Sequence, residues 1–426
     1  MNQGQKVLKI LLNKFLNDKS NNFLVSGLAG SGKTTTVSNF FLEQTKYKIE
    51  DVMILTPTHK AKYVIMKKTN NKFACSTIHS FLGYSRDIDE NGQIKFIMRE
   101  KTDTENIKVI IVDECSMINS YCYMKLQDRI RKQNLKAIFM GDINQLPPIN
   151  EVSSDSFDIN SEHSLVESLR NQGNIYKICD AMLENMNKKD LKIWNHVDGN
   201  VNMYNNRIDY LDDLVANKDK DYKILCWTNA KCDTMNKRMR DKMYGKDCDR
   251  FCKNEKLIVK NYFMDPALNT YSSNEELIVD SVKRMEFKPS DITFLPKKYI
   301  KDIKGIKVYK LKLKRGTFIY VVKTKHEMLV IRIMNKIKRD AINCKNNNDY
   351  KQAKLLWEMY YTVKELFMPP IDYSYAITVH RSQGSEWDIV YVELKDIMRN
   401  RGTLERNKLI YVAFSRAIER LVINVG

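Results

Sequence analysis

The chain has 426 residues, 43% of them hydrophobic, and a formal net charge of +19. That length is enough for two or three domains with cores of their own, and the charge points to a polyanionic partner, a lysine-rich surface without any partner being the alternative. No stretch reaches the apolar length of a membrane span, no secretory signal opens the chain, and the cysteines lack finger-like spacing beyond the Cys248 and Cys252 pair, so a soluble protein with free thiols in the cytoplasm or nucleus is expected.

Leu8, Leu11, Leu12, Phe15 and Leu16 recur at helical spacing, which predicts an amphipathic helix over 4–17. Four short apolar runs follow: Phe23 to Ser26, Val52 to Thr56, Val109 to Val112, and Ala137 to Met140. Each is too short for a helix and long connections separate them, the pattern of buried parallel strands in a doubly wound sheet. Ligands in such sheets sit beyond the carboxyl ends of the strands.

The first run ends in Gly27-Leu28-Ala29-Gly30-Ser31-Gly32-Lys33-Thr34, a phosphate loop between a strand and a helix-compatible segment. Gly27, Gly30 and Gly32 let backbone N–H groups converge on one point, with Ser31 and Thr35 beside them, and the helix N-terminus adds its partial positive charge. Lys33 would reach the β and γ phosphates, and the Thr34 hydroxyl would ligate Mg²⁺. The third run ends in Asp113-Glu114. Downstream of a phosphate loop, Asp113 is expected to hold Mg²⁺ and Glu114 to orient and deprotonate the attacking water. A nucleoside triphosphate with Mg²⁺ is therefore expected, ATP being the one that the resemblance described below implies. Ala230-Lys231-Cys232-Asp233 lacks the Asn that a guanine-selective motif requires.

Asn91-Gly92 between Ile88 and Ile94 predicts a β-hairpin within 84–104. An isolated two-stranded hairpin is marginal in water, so this one is expected to lean on a neighbour or a ligand, with an ordinary surface hairpin as the alternative. The polar stretch 150–164 reads as an interdomain linker. Apolar runs at Ile224, Tyr375, Ile389 and Leu421 then predict a second α/β sheet, split by an insertion over 248–368. Within it, Tyr309, Leu311 and Leu313 alternate with Lys310, Lys312 and Lys314, and two helical segments follow at about 326–344 and 350–367. Residues 283–345 carry 19 Lys or Arg against 5 Asp or Glu, so the insertion holds most of the basic excess. It is either a nucleic-acid surface or a solvated lysine face that discourages edge pairing.

These residues carry a family resemblance. The phosphate loop, Thr56-Pro57-Thr58-His59-Lys60, Ser76-Thr77-Ile78-His79-Ser80, Asp113-Glu114-Cys115-Ser116-Met117, Gly141-Asp142-Ile143-Asn144-Gln145-Leu146-Pro147-Pro148, Thr378-Val379-His380-Arg381-Ser382-Gln383-Gly384-Ser385-Glu386 and Tyr411-Val412-Ala413-Phe414-Ser415-Arg416-Ala417 resemble, in order, the motif series of superfamily 1 helicases. The Thr-Pro-Thr-His and Val-His-Arg-Ser-Gln-Gly wording is similar to the 5′-to-3′ branch with the RecD-type and Dda-like enzymes. The resemblance implies two RecA-like domains: 1–158, carrying the hairpin as a strand-separating pin, and 159–247 with 369–426. The 248–368 insertion would be an SH3-like module with a helical projection, although Ser273-Asn274-Glu275 stands where relatives usually carry Asn-Gly.

The resemblance further implies that Gln5 contacts the adenine, that Gln145 senses the γ phosphate, and that Gly384 and Glu386 meet the nucleotide from the second domain. Arg170 and Arg416 would be arginine fingers. Pro57, Thr58, His59, Lys60, Thr77, His79, Asn229, Thr378 and His380 would track the nucleic acid, being short polar groups suited to phosphates and sugars. The implied protein is a monomeric ATP-dependent helicase that moves 5′ to 3′ on single-stranded DNA and unwinds forked duplex, with replication or repair proteins as the expected class of further partner. An RNA helicase or ribonucleoprotein remodeller and a nucleotide-switched single-strand clamp remain alternatives.

Overall fold

Strands that are apolar on both faces need helices on both sides of their sheet. The computed structural model describes residues 2–98, 104, 106–148, 150–165, 173–191, 194–288, 295–300 and 305–426, and in it the first four apolar runs form such a sheet. Its six parallel strands lie in the order Ala74–Thr77, Val52–Thr56, Val109–Val112, Lys136–Gly141, Asn22–Gly27 and Glu162–Leu165. Val109–Val112 is buried at every position. The helix Gln3–Asn17 starts on a capping box between Asn2 and Gln5 and packs Leu8, Leu12 and Phe15 against Val25, Val37, Ile54 and Ile111.

The last strand corrects the reading of 150–164 as a linker. Glu162–Leu165 pairs in parallel with Asn22–Gly27, so the first sheet extends past residue 158. Among the described residues it pairs on one side only, and a polar sequence suits such an edge.

The second sheet is also parallel, in the order Ala376–Thr378, Tyr222–Cys226, Trp387–Glu393, Ala417–Asn424 and Val201–Tyr204. The two sheets and their helices are mixed α/β lobes of the tandem RecA-like kind, and together they make one compact unit of Met1–Gly83, Glu100–Met243 and Tyr375–Gly426.

A second compact unit comprises Tyr84–Arg99 and Tyr244–Ser374. It holds a five-stranded antiparallel sheet in the order Phe318–Val322, Lys307–Leu313, Glu276–Glu286, Lys256–Val259 and Ile371–Tyr373. Tyr309, Leu311 and Leu313 are buried in its core, as their alternation requires. The lysines between them are engaged locally: Lys310 Nζ lies 4.3 Å from the Phe318 ring centroid, and Lys312 pairs with Asp280 at 3.2 Å. Asn274 takes φ +64, so an asparagine supplies the left-handed turn residue without glycine. The helices Glu327–Asn346 and Tyr350–Phe367 bury Val330, Ile333, Ile337, Trp357, Val363 and Phe367 between them and the sheet.

The hairpin pairs Tyr84–Ile88 with Ile94–Met98 and belongs to this unit. Its loop is longer than a two-residue Asn-Gly turn. Asp89 spans it, accepting the amides of Asn91 at 2.9 Å and Gln93 at 2.8 Å. The neighbour it leans on is the helix Tyr350–Phe367. Trp357 Nε1 donates to Glu90 O at 3.2 Å, Tyr361 Oη to Gly92 O at 2.9 Å, and Lys354 Nζ to Asp87 at 2.8 Å. Arg86 pairs with Glu365 at 2.7 Å, and Lys345 reaches Asn91. Gly92, at φ +77, is obligatory here because a Cβ would fall 2.5 Å from the Trp357 indole.

Candidate active site

The phosphate loop turns between the strand Asn22–Gly27 and the helix Lys33–Glu43. Gly27 lies against the edge strand so closely that a Cβ would sit 2.4 Å from Leu165 O. That side of the loop is therefore backbone packed on backbone. Gly32 caps the helix in the left-handed region, leaving the amides of Lys33, Thr34 and Thr35 without a protein partner among the described residues. Such a helix start attracts anions.

Lys33 Nζ folds back on Gly27 O at 2.7 Å and Leu28 O at 2.9 Å. Thr34 Oγ1 donates to Asp113 Oδ2 at 2.9 Å, and the Glu114 amide donates to Asp113 Oδ1 at 2.9 Å. Burial pushes the Asp113 carboxyl above its ordinary range, against the opposing pull of Thr34, the Glu114 amide, Lys33 and Lys68. Glu114 takes φ +54, a left-handed backbone that turns its side chain out of the strand and onto the cleft. Strained non-glycine backbone of this kind recurs at functional sites.

These groups line a cleft of about 710 Å³. Gln5, Gly30, Ser31, Gly32, Lys33, Thr34, Thr35, Asp113, Glu114 and Gln145 come from the first lobe, and Gly384, Glu386 and Arg416 from the second. Gly27 supports the loop from behind. Arg170 lies outside the described residues. Arg416 is 2% exposed and donates to Val412 O at 3.1 Å, Ser385 O at 3.3 Å and Ser415 Oγ at 3.0 Å. Gln5 Nε2 reaches Ser31 O at 3.5 Å. Glu386 is bridged to Lys68 across the cleft at 3.1 Å.

Ser31 Oγ, Gln145 Oε1 and Ser385 Oγ are buried without a hydrogen-bond partner among the described residues. A buried polar atom left unpaired costs about 1–3 kcal/mol. Three of them on one cleft, beside a buried carboxylate and open amides, fit a polar, charged ligand such as a nucleotide phosphate chain.

The residues expected to track nucleic acid form two groups at strand ends. Thr56 lies opposite Thr77 in the first sheet, which brings Pro57 to Lys60 beside Thr77 and His79. Thr58 caps the helix His59–Lys68 by accepting the Ala61 amide at 3.2 Å, and Thr77 accepts the Ser80 amide at 3.2 Å. Partial burial, then Lys62 and His79, hold the His59 imidazole below its ordinary value, so it is neutral at neutral pH. In the second sheet Cys226 lies opposite Thr378, which brings Asn229 beside Thr378 and His380. Asp396 fixes the turn before Asn229, accepting the amides of Trp227 at 2.9 Å and Thr228 at 2.8 Å. Lys60 Nζ stands 5.1 Å from the Trp387 ring, a contact between the lobes. Lys231, from the near-miss guanine motif, pairs with the buried Glu393 at 2.6 Å.

Sequence reasoning missed Lys68, Asn39, Ser385 and Ile418 on the cleft wall, and Asp396 behind the second group. Only Ser385, between two motif residues, carried a signal. The others reach the site through helix packing or sheet order, which no local spacing displays. All nine cysteines are free thiols, and the described residues hold no cluster of three potential metal ligands among His, Cys, Asp and Glu. No described helix is long and apolar enough to cross a membrane.

Residues 14–151 match the AAA domain family, and residues 373–423 match the UvrD-like helicase C-terminal domain. An uncharacterized protein of Acanthamoeba polyphaga mimivirus is 28% identical, with 99% of each chain covered. The ATP-dependent DNA helicase dda of Enterobacteria phage T4 is 26% identical over 64% of this chain and 62% of that protein. Among solved structures, Pif1 helicase from Bacteroides in complex with ADP-AlF3 and ssDNA is similar at a TM-score of 0.53, 15% identity, and coverage of 99% of this chain and 92% of that one. The chain is thus similar in sequence to helicases named Dda, Pif1 and RecD, and it shares the fold of the Pif1 structure.

Proposed function

We propose that the protein is an ATP-driven DNA helicase that moves 5′ to 3′ on single-stranded DNA and separates duplex at a fork. The observation that carries this reading is the two-walled cleft: Lys33, Asp113, Glu114 and Gln145 on one lobe face Gly384, Glu386 and Arg416 on the other. A site assembled from two lobes couples chemistry to their opening and closing, which is what a motor needs. The matches to dda and to DNA-bound Pif1 support DNA as the track.

In this reading Thr34 and Asp113 hold Mg²⁺, which supplies charge neutralisation on the phosphates. Lys33 leaves the carbonyls of Gly27 and Leu28 for the phosphate oxygens, exchanging neutral acceptors for charged ones. Glu114 takes a proton from the attacking water. Arg416 makes a similar exchange from Val412 O and Ser385 O, and Arg170 acts as the second finger. Gln5 reads the adenine. The strand-end groups around Thr58, Thr77, Asn229, Thr378 and His380 hold sugar and phosphate without reading sequence. The hairpin is the strand-separating pin, and its strand Ile94–Met98 is exposed along its whole length, offering Phe96 and Met98 as an apolar edge to bases.

The test is unwinding of matched forks with ATP. A DNA duplex with a 5′ single-stranded tail should be opened and one with a 3′ tail should not. Opening of the 3′-tailed fork alone would reverse the polarity, and preference for the RNA versions would move the protein to the RNA class.

A further inference from the structure

The motor reading gives Gln145 and Arg416 their roles but leaves open how two groups from different lobes arrive in register. The turn that carries Gln145 is built on Asp142, which is 1% exposed. Asp142 Oδ1 accepts the Asn144 amide at 3.0 Å, and its carbonyl accepts the Gln145 amide at 3.1 Å. Its Oδ2 accepts two donors from different places: the Ala29 amide of the phosphate loop at 3.0 Å and the Tyr411 hydroxyl of the second lobe at 2.8 Å. Tyr411 is itself 2% exposed and sits on the helix Thr403–Phe414, just before Arg416. Two further bonds from the second lobe grip the same turn: Lys408 Nζ to Ile143 O at 3.0 Å, and Gln383 Nε2 to Leu146 O at 3.2 Å.

We propose that Tyr411, assisted by Lys408, is a positioning residue that locks the phosphate loop, the Gln145 turn and the helix that leads into Arg416 together through the shared Asp142 oxygen. The proposal rests on the reading of the cleft as an ATP-hydrolysing site. A buried carboxylate needs its donors, and Tyr411 can supply one only while the lobes are together. Lobe closure therefore completes the coordination of Asp142 and fixes Gln145, whose Oε1 has no partner among the described residues, against the phosphate loop. Burial and the Asp142 carboxylate push the Tyr411 phenol well above its ordinary range, so it remains a donor at working pH.

Tyr411→Phe removes one oxygen and keeps the ring. In the full chain, at saturating single-stranded DNA, kcat for ATP should fall roughly 10-fold while KM stays within about twofold. In the nucleotide-free protein, hydrogen exchange at the Ala29 amide should quicken. Asp142→Ala removes the acceptor oxygens of all three donors and should cause a fall at least as large, and the double variant should be no worse than Asp142→Ala alone. An unchanged kcat in Tyr411→Phe, or a double variant whose defect is the product of the two single defects, overturns the proposal. If Tyr411→Phe does not fold, Lys408→Met decides: a smaller fall in kcat at constant KM supports the lock, and an unchanged kcat overturns it. Wild-type hydrolysis that single strands fail to stimulate would sink the motor reading, while the same kcat comparisons would still test the lock.

Discussion

The nucleotide cleft and the hairpin seat are both polar, and they use polarity in opposite ways. On the cleft, Ser31 Oγ, Gln145 Oε1 and Ser385 Oγ are buried and unpaired among the described residues, and Asp113 keeps a raised carboxyl pKa. On the hairpin seat, Arg86 finds Glu365, Lys354 finds Asp87, and Trp357 and Tyr361 find carbonyls of the loop. Single unpaired groups occur elsewhere, as at Ser85 Oγ of the hairpin, but three of them lining one cavity mark a surface shaped for something that arrives. Satisfied capacity marks one shaped to stay still.

That contrast is open to attack by mutation. Glu114→Gln should lower kcat by about 10²–10⁴-fold and leave the melting midpoint almost unchanged. A large loss of stability at full turnover would make Glu114 a structural group. The hairpin seat should behave the other way round. Trp357→Ala removes a nearly buried indole and its bond to Glu90 O, and should cost roughly 3 kcal/mol in denaturant unfolding. Gly92→Ala should cost about 1–3 kcal/mol by forcing the loop off that indole. In both, ATP hydrolysis should survive while amides of the hairpin exchange faster. Slow exchange retained in either variant would show that the seat does not hold the hairpin.

The smallest effect belongs to Asp89. Its bond to Lys95, helped by the Gln93 and Asn91 amides, lowers its pKa from 3.8 to about 2. A depressed folded-state pKa gives stability that is present above 3.8 and lost as the pH falls towards about 2. Lys95 is 55% exposed, so solvent screening keeps the contribution small. Asp89→Asn should therefore melt slightly below the wild type at pH 7, and the gap should close on acidification through that window. A gap independent of pH would assign the effect to the loop geometry alone.

Much of the first lobe was legible because its motifs are contiguous. An apolar run followed at once by glycines or carboxylates fixes a strand and what stands at its end, and Lys33, Thr34, Asp113 and Glu114 meet as that logic requires. The helices after Glu327 and after Tyr350 were equally plain from their periodicity. The hairpin was visible from Asn91-Gly92, but its loop was not, because the Asp89 side chain rather than the turn type sets its length.

What the sequence by itself determined, then, is the local chemistry: which segments are strands or helices, and which polar groups stand at their ends. Only the tertiary structure decided who meets whom. Glu162–Leu165 became a strand of the first sheet, Trp357 became the seat of Gly92, Lys68 came to face Glu386, and Tyr411 came to share Asp142 with Ala29. The reason is physical. Periodicity records which face of an element is buried, and that is a property of neighbours in sequence. The partner that covers the face is selected by packing between segments more than two hundred residues apart, as Asp142 and Tyr411 are, and no local pattern carries that choice.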